Sequence, residues 1–291
     1  MDTIIMRGKP VADKYRELIT NKINAAKANG RLVTLAVVVA GDDPASHVYK
    51  NRLVKLIQEL GGEAKEVILP AETEEAEVVS IIKKMNRNRY ITGILPMMPM
   101  PKHIDSDVVG TAVAANKDVD CLNYSNMGEF FTGKNPYAAA TPRACMATLE
   151  HYGIELEGKH VVVIGRSNVV GKPVAMLALQ KNATVTICHS KTQNLAELTR
   201  QADVIIAAVG KPCFVKPDMV KEGVVIVDVG INSVDGKLVG DVDPAVEAKS
   251  SAFTPVPGGI GVVSNMMVMD ALPRHIRAVV RNAKIFAARP P

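Results

Sequence analysis

The sequence predicts a two-domain α/β protein, each domain a mostly parallel sheet with helices on both faces. Three observations carry this. The chain has 291 residues, more than a single domain of about 100–150 residues usually holds. Its first ~100 residues alternate apolar strand-like runs with helix-like periods, the pattern of a parallel sheet. A second series opens at Val161 to Ile164, passes through the glycine-bounded turn Gly165-Arg166-Ser167-Asn168, and enters an apolar segment with Gly171 and Pro173 at its start. Strand, turn and helix in that order form the opening unit of a doubly wound, Rossmann-like domain.

The elements follow in order. Ile4-Ile5 and Leu32 to Ala40 read as strands around a helix from about Pro10 to Asn29, with Val11, Leu18 and Ile19 at helical spacings and Gly30 as its stop. Asp43-Pro44 starts the next helix, a cap followed by a proline at the first helical position, and it runs to Gly61-Gly62. Glu66 to Leu69 is a strand. Thr73 caps a helix with Glu74, Glu75 and Glu77 near its start and Lys83 and Lys84 near its end, matching the helix dipole. Ile91 to Leu95 is a further strand. Pro96 to Pro101, with three prolines in the run PMMPMP, is irregular: either a stiff connector or a ligand loop at the C-terminal edge of the sheet. Asn116 to Cys121 is a polar turn whose two acids, Asp118 and Asp120, either do acid–base work or simply cap the turn.

A helix from Thr141-Pro142 to about Tyr152 leads into the second domain. Its later strands are Ala183 to Cys188, Asp203 to Val209 ending at Gly210, Val224 to Val229 ending at Gly230, and Ser251 to Thr254 before the loop TPVPGGIG. From Ser264 a long apolar-periodic helix is expected to return to the first domain, with Met266, Met267, Val268, Ala271 and Leu272 as core and Pro273 at a kink or boundary. The expected division is residues 1–140 plus 265–291 for the first domain and 141–264 for the second.

Composition excludes several functions. The net charge of +5 is spread along the chain, Trp is absent and aromatics are 4%, so a basic groove with stacking platforms for nucleic acid is not expected. Cysteines 121, 145, 188 and 213 form no CxxC and no Cys/His metal spacing, so no metal is expected and the thiols read as buried in a reducing compartment. The N-terminus reaches Arg7 and Lys9 without an h-region of signal-peptide length, and the longest apolar runs, such as Leu32 to Ala40, are far shorter than a membrane span. The expectation is a cytoplasmic protein, or an organelle protein shown without its transit peptide.

The glycine turn does not match GxGxxG, since Gly165, Ser167 and Gly171 carry a different spacing. Its physics survives. Gly165 allows a tight turn, backbone N–H groups at the helix start face a phosphate, and Gly171 allows close packing of helix on strand. The second strand ends in Cys188-His189-Ser190-Lys191-Thr192, without the acid that NAD enzymes place on the ribose 2′-hydroxyl. Arg166, Ser190 and Lys191 suit a 2′-phosphate, which points to NADP; the plainer reading leaves His189 and Lys191 as solvated loop residues. The same turn misses the GxSxG elbow because Val169 replaces the second glycine, and neither HExxH nor a Walker A sequence is present.

GRSNVVGKP (165–173), CHSKT (188–192), DVGIN (228–232), KLVGDVD (237–243) and TPVPGG (254–259), with GDDPAS and Tyr49, KDVD (117–120) and TP (141–142), closely resemble the methylenetetrahydrofolate dehydrogenase/methenyltetrahydrofolate cyclohydrolase family over essentially the whole chain. The resemblance implies a folate-binding catalytic domain, an NADP domain, a folate cleft between them and usually a homodimer. It implies NADP on Gly165, Arg166, Ser167, Gly171, Ser190 and Gly210 with Ile231 near the nicotinamide. It implies tetrahydrofolate derivatives held by Tyr49 and Asp120, both also expected in catalysis, and by Pro257, Gly258 and Gly259, where a cis peptide is compatible with the X-Pro sequence.

Departures from the family pattern cluster on the folate side. Leu53 stands four residues after Tyr49, on the same helix face, where the family has its catalytic lysine. Met97 replaces the family's supporting glutamine, Cys121 a glycine, and Val262-Val263-Ser264 a Pro-Met-Thr. Hydride transfer to NADP needs alignment rather than a base. Hydrolysis of the methenyl cation needs water activation, which Leu53 cannot give, Arg52 as a guanidinium gives poorly, and Lys50 and Lys55 are turned away from. The expected function is therefore NADP-dependent oxidation of methylenetetrahydrofolate with cyclohydrolase activity weak or lost. The alternatives are a fully bifunctional enzyme, or an NADP-binding paralogue with a different substrate or a non-catalytic binding role.

Overall fold

A computed structural model describes residues 2–135 and 137–272. The chain divides into two compact units, Tyr15–Tyr137 with Val268–Pro291, and Met1–Lys14 with Ala138–Met267. It opens with β1 (Ile4–Ile5) and α1 (Gly8–Ala28).

The Tyr15–Tyr137 unit is built on a parallel sheet of β2 (Thr34–Ala40), β3 (Glu63–Leu69) and β4 (Gly93–Pro96) in the order β3-β2-β4. Central β2 reads TLAVVVA and is buried along its whole length, as a strand covered on both faces requires. Its crossovers are α2 (Pro44–Glu59) and α3 (Glu75–Arg87). Ala36 and Val38 of β2 share a core with Val78, Ile82 and Met85 of α3 and Ile94 of β4. Full burial of each large side chain there stabilises the fold by ~1.5–3 kcal/mol. Two short helices follow, α4 (Ser106–Ala112) and α5 (Tyr124–Phe131), each started by a side-chain cap, Asp105 and Asn123. Leu272 lies against Gly93, so close that a Cβ there would overlap it.

The other unit contains α6 (Ala140–His151), β5 (His160–Ile164), α7 (Gly171–Gln180), β6 (Thr184–Cys188), α8 (Leu195–Arg200), β7 (Val204–Ala207), β8 (Val224–Asp228), the hairpin β9 (Asn232–Val234) and β10 (Lys237–Val239), and β11 (Ser250–Phe253); α9 (residues 260–272) begins in it, and its residues from Val268 on belong to the Tyr15–Tyr137 unit. Its sheet runs β1-β11-β8-β7-β5-β6, parallel throughout. From β5 the chain steps outward to β6, then back across to β7. The strand order reverses between β5 and β7, and such a switch point opens a crevice at the strand ends. Met266, Met267 and Met269 of α9 are buried, as expected of a methionine-rich core face; Pro273 and the rest of that expected helix lie outside the described residues.

Several expectations need correction. Residues 1–140 do not all fall in one unit, because β1 pairs with β11 and joins the sheet of the second. A two-residue run carries no information about which sheet receives it. Leu18 is 45% exposed although Val11 and Ile19 on the same helix are buried. Glu74, not Thr73, holds the N-cap position of α3, without a side-chain cap bond. The cis peptide expected in the proline-glycine loop is present at Val256-Pro257, and a second, not expected, occurs at Met98-Pro99.

Candidate active site

The glycine turn lies at the switch point. Gly165 has φ 130°, and a Cβ on it would collide with the carbonyl oxygen of Ala208, just beyond β7. A Cβ on Gly171 would collide with the Gly165 carbonyl. The turn therefore closes only with glycine at both positions. Ser167 Oγ accepts from the backbone N–H groups of Val170 (3.1 Å) and Gly171 (3.3 Å), so its hydroxyl shapes the entry to α7. Arg166 and Ser167 are exposed.

Register brings the second half of this group beside the first. Ile164 pairs with Cys188 in adjacent parallel strands, so Arg166 and Ser190 each stand two residues beyond a matched pair. The Gly165 N–H donates to the Cys188 carbonyl at 2.9 Å. The loop after β6 is ordered by its own bonds. The His189 N–H donates to Thr192 Oγ1 (2.8 Å) and the Lys191 N–H to His189 Nδ1 (3.1 Å), leaving Ser190 and Lys191 exposed at the tip. An exposed guanidinium, an ammonium and a hydroxyl with no carboxylate among residues 188–192 fit a phosphate ester.

The remaining residues of this unit group at neighbouring strand ends. Gly210 is exposed with φ 64° after β7, and Ile231 is 64% exposed after β8. Gly261 lies beside Ile231 Cδ1. Pro257 and Gly258 are exposed and Gly259 is buried, with the Gly258 carbonyl accepting from the Gly8 N–H at 2.8 Å. Val262 is exposed, Val263 is buried, and Ser264 Oγ hydrogen-bonds Thr141 Oγ1 at 2.9 Å. Asp228, at the end of β8, is buried, and that burial pushes its carboxyl up to about 6 against the pull of three backbone N–H donors.

In the Tyr15–Tyr137 unit, Asp43 caps α2 as expected, accepting from the Ser46 N–H (2.8 Å) and Oγ (2.7 Å); these bonds hold its carboxyl below the usual range. Tyr49 is half-buried on α2. Burial drives its phenol well above the ordinary range, the charge of Asp120 adds to this, and Arg52 opposes it. Tyr49, Asp120 and Arg52 thus form one electrostatic group, and the phenol is a hydrogen-bond donor at any physiological pH. Arg52 was not among the expected site residues; its place three residues after Tyr49 is the signal that points to it.

The paired acids separate into two roles. Asp118 is fully buried and accepts from the N–H groups of Asp120 (3.2 Å), Leu122 (3.0 Å) and Asn123 (2.9 Å) and from Asn126 Nδ2 (2.8 Å). It builds the turn, while Asp120 is half-exposed and faces the Tyr49 field. Lys117 Nζ donates to the Met85 and Asn88 carbonyls, capping the end of α3. Cys121 is buried in the left-handed region at φ 55°, with Sγ 3.5 Å from the Tyr137 carbonyl, so its thiol points into the protein.

The expected departures are apolar and sealed. Leu53 is 0% exposed and Met97 3% exposed, the latter with its N–H on the Val38 carbonyl. Lys50 is also buried, ion-paired with Glu66 of β3, and exposed Lys55 pairs with Glu59 at 4.0 Å. Among the described residues no group of three His, Cys, Asp or Glu side chains could hold a metal, and no helix is long and apolar enough to cross a membrane.

Residues 6–120 match the family description "Tetrahydrofolate dehydrogenase/cyclohydrolase, catalytic domain", and residues 139–279 match "Tetrahydrofolate dehydrogenase/cyclohydrolase, NAD(P)-binding domain". The chain is 46% identical over 270 residues to the bifunctional protein FolD of Caldanaerobacter subterraneus subsp. tengcongensis, covering 92% of this chain and 95% of that protein. Its fold is similar to the crystal structure of the bifunctional enzyme FolD of Campylobacter jejuni, with a TM-score of 0.92 at 38% identity over 95% of this chain and 99% of that one. It is also similar to the FolD of Trypanosoma brucei, described as complexed with NADP cofactor and inhibitor, with a TM-score of 0.91 at 29% identity over 96% and 99% of the two chains.

Proposed function

The chain belongs to the tetrahydrofolate dehydrogenase/cyclohydrolase family, and from that premise we propose how its two units divide the work. It is an NADP-dependent methylenetetrahydrofolate dehydrogenase whose hydrolysis of the methenyl product is weak or lost. The observation that carries the second half is Leu53, fully buried at the place where the resemblance puts a catalytic lysine.

NADP, when bound, supplies the hydride acceptor. Gly165 and Gly171 let the turn close beneath its phosphates, Gly210 faces open space beside them, Ser167 shapes the turn, and Arg166 with Ser190 takes the 2′-phosphate. Ile231 offers an exposed apolar surface to the nicotinamide. Pro257, Gly258 and Gly259 form the edge of the folate site. Asp120 accepts hydrogen bonds from the pterin, and Tyr49, held protonated, donates one to the folate and orients its ring.

Oxidation of the methylene carbon needs only this alignment. Hydrolysis of the resulting cation needs a group that takes a proton from water. Leu53 and Met97 have no such group. Arg52 stays protonated, the Tyr49 phenol is pushed further from ionising, and Lys50 is engaged by Glu66.

A fully bifunctional enzyme is the second reading, favoured by the relative at 46% identity that carries the name bifunctional. Another group or solvent would stand in for the lysine, and the group that α2 offers is Lys50, released from Glu66. Replacing Lys50 with Met would then abolish hydrolysis, whereas on the leading reading the low rate is unchanged. A paralogue with another substrate is separated by titrating NADP and a folate analogue individually. Both ligands bind on the leading reading, while NADP binding without folate binding overturns it. We take the enzyme to be cytoplasmic, in keeping with four free cysteines. We also take it to be a homodimer, in keeping with the open outer edge of β3 and its exposed Ile68. Light scattering giving the mass of a single chain would contradict the dimer.

A further inference from the structure

We propose that Asp241 is a positioning residue that holds the two loops flanking the cofactor crevice in their binding geometry; this rests on the NADP reading above. Asp241 is 0% exposed. Its Oδ2 accepts from the N–H groups of Val209 (2.6 Å) and Gly210 (2.9 Å), and its Oδ1 from the Lys211 N–H (2.9 Å) and Asn232 Nδ2 (2.9 Å). Three consecutive N–H groups of the turn after β7 therefore converge on one carboxylate, as backbone nests do on anions. A carboxylate has about four lone-pair directions, and these four donors occupy them. Asp241 has no acceptor left for a ligand, so its action on the cofactor passes through the loops.

The grip reaches further. The Asp241 N–H donates to Asp228 Oδ1 (2.9 Å), which also receives the Gly230 N–H (2.9 Å), while Asp228 Oδ2 takes the Val242 N–H (2.9 Å). The Asp228 N–H donates to Thr254 Oγ1 at 2.7 Å, at the start of the proline-glycine loop. Three loops at neighbouring strand ends are thus tied in series. Ile231 is pinned on both sides, Gly230 by Asp228 and Asn232 by Asp241, while its own side chain stays 64% exposed. The network also accounts for two glycines. A Cβ at Gly230 would overlap the Asp241 carboxylate, and one at Gly240 the Asp228 carboxylate. This gives physical content to the DVGIN and KLVGDVD stretches, which hold no group expected to touch cofactor except Ile231.

The test is Asp241→Asn, a change of matched size that turns one acceptor oxygen into a donor facing backbone N–H groups. NADP titration and steady-state kinetics are read beside the thermal melting temperature. The expected result is a fall of at least ~10-fold in NADP affinity or kcat, from bonds to a charged acceptor that are lost. Val246→Ala, which opens a cavity at a fully buried site in the same unit, is the control for stability alone and should melt earlier with NADP affinity unchanged. If Asp241→Asn does not fold, Asn232→Ala removes one of the four donors and should lower kcat or NADP affinity by ~3-fold or more. Wild-type NADP affinity and kcat in whichever of these variants folds overturns the inference. A wild-type protein that fails to bind NADP overturns the cofactor reading instead.

Discussion

The strand ends of the cofactor unit and the α2 surface of the folate unit are built in different currencies. In the cofactor unit the features are backbone features. Gly165 and Gly171 cannot carry a Cβ without striking a carbonyl, and Asp228 and Asp241 spend their lone pairs on neighbouring N–H groups. In the folate unit, the positions where the resemblance places a lysine and a glutamine hold Leu53 and Met97, both buried. A site made of backbone loses its loop when a residue changes. A site made of projecting side chains can exchange its chemistry for packing while α2 and β4 keep their places, since an apolar side chain adds to the core. Cys121 shows the intermediate case. It occupies a left-handed conformation at φ 55°, tolerated at ~1–2 kcal/mol for a side-chain-bearing residue.

The sharpest way to break this contrast is a matched pair of substitutions. Gly165→Ala should reduce NADP affinity by ~100-fold or more and lower stability by several kcal/mol, because its φ of 130° and the Ala208 carbonyl both exclude a methyl group. Leu53→Ala should lose ~2–5 kcal/mol of stability as a cavity mutant while the folded fraction, assayed below its melting point, keeps the wild-type affinity for NADP. Equal affinity loss in the two variants would erase the distinction.

The next effect is a gain. Leu53→Lys with Met97→Gln should raise methenyl hydrolysis by ~100-fold, the lower end of the usual range for a positioned base, at a measurable loss of melting temperature from burying polar groups. No gain would assign the loss to further positions, with Cys121→Gly the next to add. Arg166→Gln and Ser190→Ala should each shift the NADP-to-NAD preference by ~10-fold, the worth of a charge-assisted bond, with NAD kinetics unchanged; an unaltered ratio would move the 2′-phosphate elsewhere.

The smallest effect expected is on the pH dependence of stability, through Asp228. Its folded carboxyl is raised from 3.8 to about 6 by burial. The protonated form is therefore favoured in the folded state. This contribution to stability is fully present below about pH 4 and is lost as pH rises to about 6. Asp228→Asn should remove that component from the stability-pH curve measured by denaturant unfolding. An identical slope between those pH values in both proteins would contradict it.

Much of the fold was legible because its signals are local. Asp43-Pro44 marks the start of α2 in two adjacent residues, and the unbroken apolar runs of β2, β5 and β8 announce strands buried on both faces. The short helices α4 and α5 escaped periodicity because seven or eight residues hold barely two turns. The β9–β10 hairpin did carry a readable signal, Asp235-Gly236, both at positive φ as a tight hairpin turn requires. The destination of Ile4-Ile5 and the separation of Asp118 from Asp120 were not legible, since each is decided by partners distant in sequence or by burial. The same holds for Asp241, whose donors lie 9 and 30–32 residues away.

The most direct measurement mixes wild-type enzyme, NADP and methylenetetrahydrofolate and follows NADPH formation and methenyl absorbance together. If hydrolysis is weak or lost, methenyl accumulates in step with NADPH and decays at the rate of the enzyme-free solution. If NADPH forms while methenyl stays at a low steady level and formyl product appears at the same rate, the folate unit hydrolyses without its lysine, and the reading of Leu53 is wrong.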